Sequence, residues 1–235
     1  MLSIRTPSSI FVRIYGGLLL VISMVALSTY LLIQVVNDYR AAEYRESMAT
    51  GFFRLVAVGI ERQPAGTLRD AWLEEASTLM DNKIVLVDAK SADFDSAEKI
   101  TLLEGRAVVR VNVQHNYADI FSLVSAKEQL YLKARMSKVS EQQAKAMAIF
   151  LLDDLEHYQG QETQRLTQLQ SYFPFPLRIV SLEKSGLEPD QRARIKRKEV
   201  VLALKEGGAA RNSSIRIIAP SKMAGHVLVM GPMYL

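Results

Sequence analysis

The chain predicts an α+β fold: a transmembrane helix near the N-terminus, then two tandem modules, each of helices and a largely antiparallel sheet. Three observations carry this. Ile14 to Val36 is a run of 23 residues without a charge. The chain beyond it alternates amphipathic helical stretches with short β-branched runs bounded by Gly and Pro. That order of elements then occurs a second time, which points to duplication.

At 1.5 Å rise per residue the uncharged run covers the roughly 30 Å hydrocarbon core of a bilayer. It exceeds the usual ~7–15 residues of a secretory h-region, and Met24-Val25-Ala26 makes a poor small-x-small cleavage site. We therefore read residues 1–13 as a cytoplasmic N-terminal tail, 14–36 as a transmembrane helix in a bacterial inner membrane, and the bulk of the chain as periplasmic. Arg5 and Arg13 before the run nearly balance Arg40 and Arg45 after it, so the short leading segment, not the Lys/Arg count, sets this orientation. The apolar ending Met233-Tyr234-Leu235 suggests that a further hydrophobic segment follows.

The helix is expected to continue through Asn37–Arg62, with Met48, Phe52, Leu55 and Val56 at helical spacing, until Pro64 and Gly66 break it. Thr67–Met80 reads as a second helix capped by Thr67. A strand at Lys83–Val87 follows, then a short helix over Ser96–Leu103 whose polar start is Asp93, Asp95 and Glu98. Strands are expected at Ala107–Val113, Ile120–Val124 and Leu130–Met136. The second module repeats this with helices Lys138–Tyr158 and Thr163–Phe173, a strand Leu177–Val180 and a helix Pro189–Lys198. Strands Val200–Leu204, Ile215–Ile218 and Val227–Met230 complete it. Phe53 and Phe150 match at an offset of 97, Glu61 and Glu156 at 95, Lys90-Ser91 and Lys184-Ser185 at 94, and Val108-Val109 and Val200-Val201 at 92. The modules are accordingly 37–136 and 137–235, and a PAS-like sensor is one form each could take.

Composition narrows the chemistry. With no cysteine there is no disulfide scaffold, thiolate metal site or cysteine nucleophile. The net charge of +4 is too small a surplus for nucleic acid, whose binding needs clustered cations. No phosphate loop, nucleophile elbow or His-Glu-x-x-His sequence is present. The sequence assigns no catalytic or cofactor-binding residue and implies no cofactor. Asp153 and His157, at i and i+4, are the one pair with metal-ligand spacing on a helix, set against the plainer reading of a solvated face. Arg192, Arg194, Lys196, Arg197 and Lys198 form the densest basic patch, a candidate for an anionic ligand, lipid headgroups or an acidic partner, or a solvated helix. Three histidines, His115, His157 and His226, are the side chains that titrate nearest neutrality.

The second module carries Phe173-Pro174-Phe175-Pro176-Leu177-Arg178-Ile179-Val180, Lys198-Glu199-Val200-Val201-Leu202-Ala203-Leu204 and His226-Val227-Leu228-Val229-Met230-Gly231-Pro232. In these segments and their order it resembles the sensor segment of RstB-type bacterial sensor histidine kinases. The resemblance implies an inside N-terminus, one span, an extracytoplasmic sensor and a second span. A HAMP linker, a phosphoacceptor-histidine helix pair and an ATP-binding domain would follow. The chain departs from that pattern by doubling the sensor and by stopping at Leu235, and none of its histidines lies in a phosphoacceptor-like context. The expected function is thus the input region of a two-component histidine kinase, with the bilayer, a second copy of the chain and an unidentified periplasmic signal or protein as partners. The alternative is a single-pass periplasmic interaction or envelope-assembly protein; an anchored hydrolase is a third reading.

Overall fold

The computed structural model describes residues 10–112, 114–115, 117–136, 140–205 and 214–234. Residues 1–9 of the leading tail, Val113, Lys138 and Leu235, all named above, lie outside these residues, and residues 10–13 of that tail belong to the first helix.

The first helix, α1 (Ile10–Arg62), contains the whole uncharged run and the amphipathic stretch after it without a break. It is long and apolar enough to cross a membrane, and its most apolar window is unburied. Residues 1–45 and 46–235 form two compact units. In the first, Leu19, Val25, Leu32 and Tyr39 are exposed, as side chains meant for lipid or a partner would be.

The second unit contains α2 (Thr67–Leu79), β1 (Ile84–Asp88), α3 (Ala89–Ala92), α4 (Ser96–Leu103), β2 (Val108–Asn112), β3 (Tyr117–Ser125) and β4 (Leu130–Met136). It continues with α5 (Glu141–Glu156), α6 (Glu162–Gln170), β5 (Leu177–Ser181), a 3-10 turn (Leu182–Ser185), α7 (Pro189–Lys196), β6 (Val201–Lys205), β7 (Ser214–Pro220) and β8 (His226–Tyr234). The strands make two four-stranded antiparallel sheets, ordered β1-β4-β3-β2 and β5-β8-β7-β6. Each strand thus has a counterpart at the same place in the other sheet, and both sheets carry a register shift where the third strand meets the fourth.

The repeat is more regular than the sequence matches indicate. Ile84 and Leu177 open the edge strands, Asp95 and Glu188 cap the short helices, and Val108 and Val201 pair with the third strand; each couple is 93 apart. The offsets of 94 and 92 read from Lys90-Ser91 and Val108-Val109 are therefore one-residue misalignments on either side of 93. Past these elements the offset rises to 97, as Phe121 and Ile218 show. The reason is loop length: four residues (113–116) join β2 to β3, and eight (206–213) join β6 to β7.

Both sheets bury both faces. On one face of the first lie Phe94, Leu102, Val108 and Phe121, which bring α3 and α4 against it. On the other, Ile84, Ile120, Leu132 and Ala134 are buried. In the second sheet Leu187, Ile195, Val201, Ile218 and Val227 pack together beneath α7, while Ile217, Leu228 and Met230 fill the face that α5 covers. Phe150 of α5 packs beside Phe52 of α1 and Trp72 of α2, with ring centroids 6.1 Å and 5.7 Å away, so helices of both halves share one core.

Two local expectations need amendment, and a third is met. Thr67 is not a cap: Gly66 holds that position, with no side-chain cap bond, and Thr67 is the first helical residue. The short elements α3 and Leu182–Ser185 follow the edge strands directly; each ends on a left-handed residue, Asp93 or Gly186. Pieces of four residues are too short for a hydrophobic period to reveal. The expected polar helix start is present as a reciprocal cap, Asp95 Oδ1 accepting from Glu98 N–H at 2.8 Å and Glu98 Oε2 from Asp95 N–H at 3.1 Å.

Candidate functional site

On α1, Arg54, Val58, Glu61 and Arg62 recur at i, i+4, i+7 and i+8, which sets them on one face. On α6, Arg165, Gln168 and Leu169 do likewise. With Tyr158 and Tyr172, just past α5 and α6, these residues line a cleft of about 530 Å³. Three guanidinium groups and two phenols from distant parts of the sequence meet here around the apolar Val58 and Leu169.

Beneath the cleft, Asp154 has only 3% of its side chain exposed. Its Oδ1 accepts from Arg62 Nη2 at 2.7 Å and Arg165 Nη2 at 3.0 Å, and its Oδ2 accepts from Arg165 Nε at 2.6 Å. The Tyr158 ring lies under the same guanidiniums, 4.5 Å from Arg165 Cζ and 5.7 Å from Arg62 Cζ. Burial disfavours the charge on Arg165, but hydrogen bonds to Asp154 and its Coulomb field outweigh this and push the Arg165 pKa up. A buried carboxylate with several charge-assisted donors fixes both arginines and satisfies its own lone pairs.

Arg54 differs from its neighbours. Among the described residues it has neither ion pair nor hydrogen bond, and it is half-buried. Its Nη1 lies 3.7 Å, and the Tyr172 hydroxyl 3.8 Å, from the point a Cβ on Gly105 would occupy. Gly105 has φ +78°, a conformation that suits glycine, so the turn leaving α4 leaves that space open.

A second cleft, of about 360 Å³, includes Gly59, Trp72, Glu75, Phe150, Asp153 and His157 in its lining. Arg62 lines both clefts. The candidate metal pair, Asp153 and His157, is thus at a cleft, with both residues exposed. His157 Nδ1 is 2.8 Å from the Asp153 carbonyl oxygen. A carbonyl only accepts, so Nδ1 carries the proton and Nε2 is the open nitrogen. Among the described residues no group of three or more His, Asp or Glu side chains is placed to hold a metal ion. The pair alone offers two side chains, one on the last turn of α5 and one at its C-cap.

The basic patch sits on α7 and the two residues after it, away from both clefts' linings. Arg192 Nε donates to the Leu187 carbonyl at 2.8 Å, while Arg194 and Arg197 each donate through Nε to Glu199 at 2.9 Å. Hydrogen bonds from Arg194 and then Arg197 draw the Glu199 pKa down. Lys196 and Lys198 are exposed. Two of the five cations thus meet on Glu199, and the patch as a whole lies on an exposed surface outside both clefts.

The sequence did not single out Arg54, Arg62, Arg165, Tyr158 or Tyr172 as a site. One signal for it was available: Asp154 follows Met147, Phe150 and Leu151 at seven, four and three residues, which places a carboxylate on the apolar face of α5. Compared with protein-family models, with curated proteins and with solved structures, the chain matches none.

Proposed function

We propose that this chain is the membrane-anchored extracytoplasmic input region of a two-component sensor histidine kinase. It would sit in a bacterial inner membrane with residues 37–235 in the periplasm, and its two helix-and-sheet halves would serve as PAS-like sensor scaffolds. One observation carries the reading: α1 contains both the membrane-length apolar run and, at Arg54–Arg62, one wall of the arginine-lined cleft. A change of occupancy in the cleft therefore acts on the helix that enters the bilayer. The resemblance of 173–232 to RstB-type sensor segments supplies the kinase part. A parallel homodimer, with Tyr39 among the exposed apolar residues of α1, would let two such helices move against each other.

Three measurements test this. A reporter that fluoresces only in cytoplasm, fused after Leu235, should stay dark, and a bright fusion would reverse the topology. The gene should continue past codon 235 into a second hydrophobic span and a transmitter; an immediate stop codon would overturn the kinase reading in favour of a periplasmic interaction protein. In the longer protein, Ala42→Pro would remove one helical hydrogen bond and clash with the preceding turn, costing about 3 kcal/mol locally. The variant should insert and fold but lose its response to stimulus.

A further inference from the structure

We infer that the cleft between α1 and α6 binds a small organic anion through an oxyanion group, with Arg54 as the principal contact and Tyr172 as a second donor. The three arginines are engaged differently. Arg62 and Arg165 share the Asp154 carboxylate at 2.6–3.0 Å, so their donors are held from within the fold and one negative charge answers half of their joint charge. Arg54 lines the same cleft without a partner among the described residues. A half-buried guanidinium keeps five donors and a fixed charge, and an oxyanion accepts from such a fork in a bidentate way.

The Tyr172 hydroxyl approaches the same open point beside Gly105 and can donate to that oxyanion. Val58 and Leu169 give the cleft an apolar wall, and Tyr158 an aromatic one. A bare inorganic ion uses none of these, whereas the body of an organic acid does. At about 530 Å³ the cleft is the size of an ordinary small-molecule site. Asp154 lies behind the arginines and holds them in place without occupying the cleft.

Isothermal titration of the full 235-residue chain in neutral-detergent micelles, at matched ionic strength, tests the site with benzoate and inorganic phosphate. Benzoate should bind with Arg54-dependent affinity and more tightly than phosphate. Arg54→Gln should weaken it by about tenfold or more, as loss of a charged hydrogen-bond partner does. Tyr172→Phe should weaken it less, and Arg192→Gln, on the distant basic patch, should leave it unchanged. Arg54→Lys keeps the charge and loses the fork, so an intermediate affinity is expected, and it serves if the glutamine variant fails to fold. Benzoate affinity that is equal in wild type and both Arg54 variants, or no binding of either probe to the wild type, would overturn the site. Arg54-dependent binding of phosphate alone would overturn the organic body and retain the oxyanion contact. Repeating the titration in phosphatidylglycerol nanodiscs separates a headgroup from a free acid: a headgroup occupant would abolish benzoate binding there. The proposal goes beyond the sensory reading and does not depend on it, since a stop codon after Leu235 would end that reading and leave this titration unaffected.

Discussion

Ser77 and Gln170 perform the same task 93 residues apart. Ser77 Oγ accepts from the Ile84 N–H at 3.1 Å, and Gln170 Oε1 accepts from the Leu177 N–H at 2.8 Å. Each thereby ties the last turn of a helix to the first residue of the edge strand that follows. The two side chains differ, yet the bond is kept, because the first N–H of each strand is otherwise left without a helical or sheet partner.

Removing these ties should weaken the two halves unequally. Ser77→Ala should cost about 1 kcal/mol, a single neutral hydrogen bond. Gln170→Ala should cost about 2 kcal/mol, since Gln170 Nε2 also donates to the Phe175 carbonyl at 2.9 Å. Urea denaturation of the two variants should show this order.

The Asp154 anchor makes a sharper expectation. Asp154→Asn leaves Arg62 and Arg165 facing a neutral group in a half-buried place and should destabilise by about 3 kcal/mol, near the lower end for breaking a buried pair. The double variant Asp154→Leu with Arg165→Met should recover most of that loss, because an apolar pair removes the desolvation cost together with the attraction. Arg62, 23% exposed, can then turn to water. Equal melting of the single and double variants would refute this account.

Two glycines on α1 permit close packing of unequal rigidity. A Cβ on Gly51 would lie 2.7 Å from the ring of Phe173, which is 5% exposed and packs at a tilt against Phe175. A Cβ on Gly59 would run into the six-membered ring of Trp72, a residue that is only half-buried and so less tightly held than Phe173. Gly51→Ala should therefore destabilise by about 1–2 kcal/mol, since overpacking exceeds the helix-propensity gain. Gly59→Ala should cost less but shift the fluorescence of Trp72, the chain's single tryptophan.

Acid should loosen the first half through Glu98. Its pKa is lowered chiefly by the hydrogen bonds from Arg110, Nε to Oε1 at 2.8 Å and Nη2 to Oε2 at 2.6 Å. The Arg110 guanidinium in turn lies 5.3 Å from the Phe94 ring centre and 5.1 Å from that of Phe121. Because the folded pKa lies below the unfolded one, Glu98 contributes fully above the ordinary glutamate value of about 4.3 and loses its contribution as pH falls through the folded pKa. The stability gap between wild type and Glu98→Gln should thus be widest at pH 7, begin to narrow below about pH 4 and close once the pH lies under the folded pKa.

The sequence by itself determined the membrane-length helix, the order of helices and strands and the repetition of that order. These follow from local periodicity: an uncharged run reads as a span, alternation as a strand, and Pro64 with Gly66 as a stop, whatever lies elsewhere in the chain. The reciprocal cap at Asp95 and Glu98 was legible for the same reason, since its partners are three residues apart. Only the tertiary structure decided the site. Arg62 meets Asp154 across 92 residues of chain, and Arg54 shares a cleft with Arg165 because α1 and α6 bring them together. The five cations of 192–198 are the densest in sequence, but they lie on and just after a short exposed helix, where Arg194 and Arg197 meet Glu199 and Arg192, Lys196 and Lys198 are exposed. Convergence of charge on a point needs elements that pack face to face, and no local pattern specifies which faces those are.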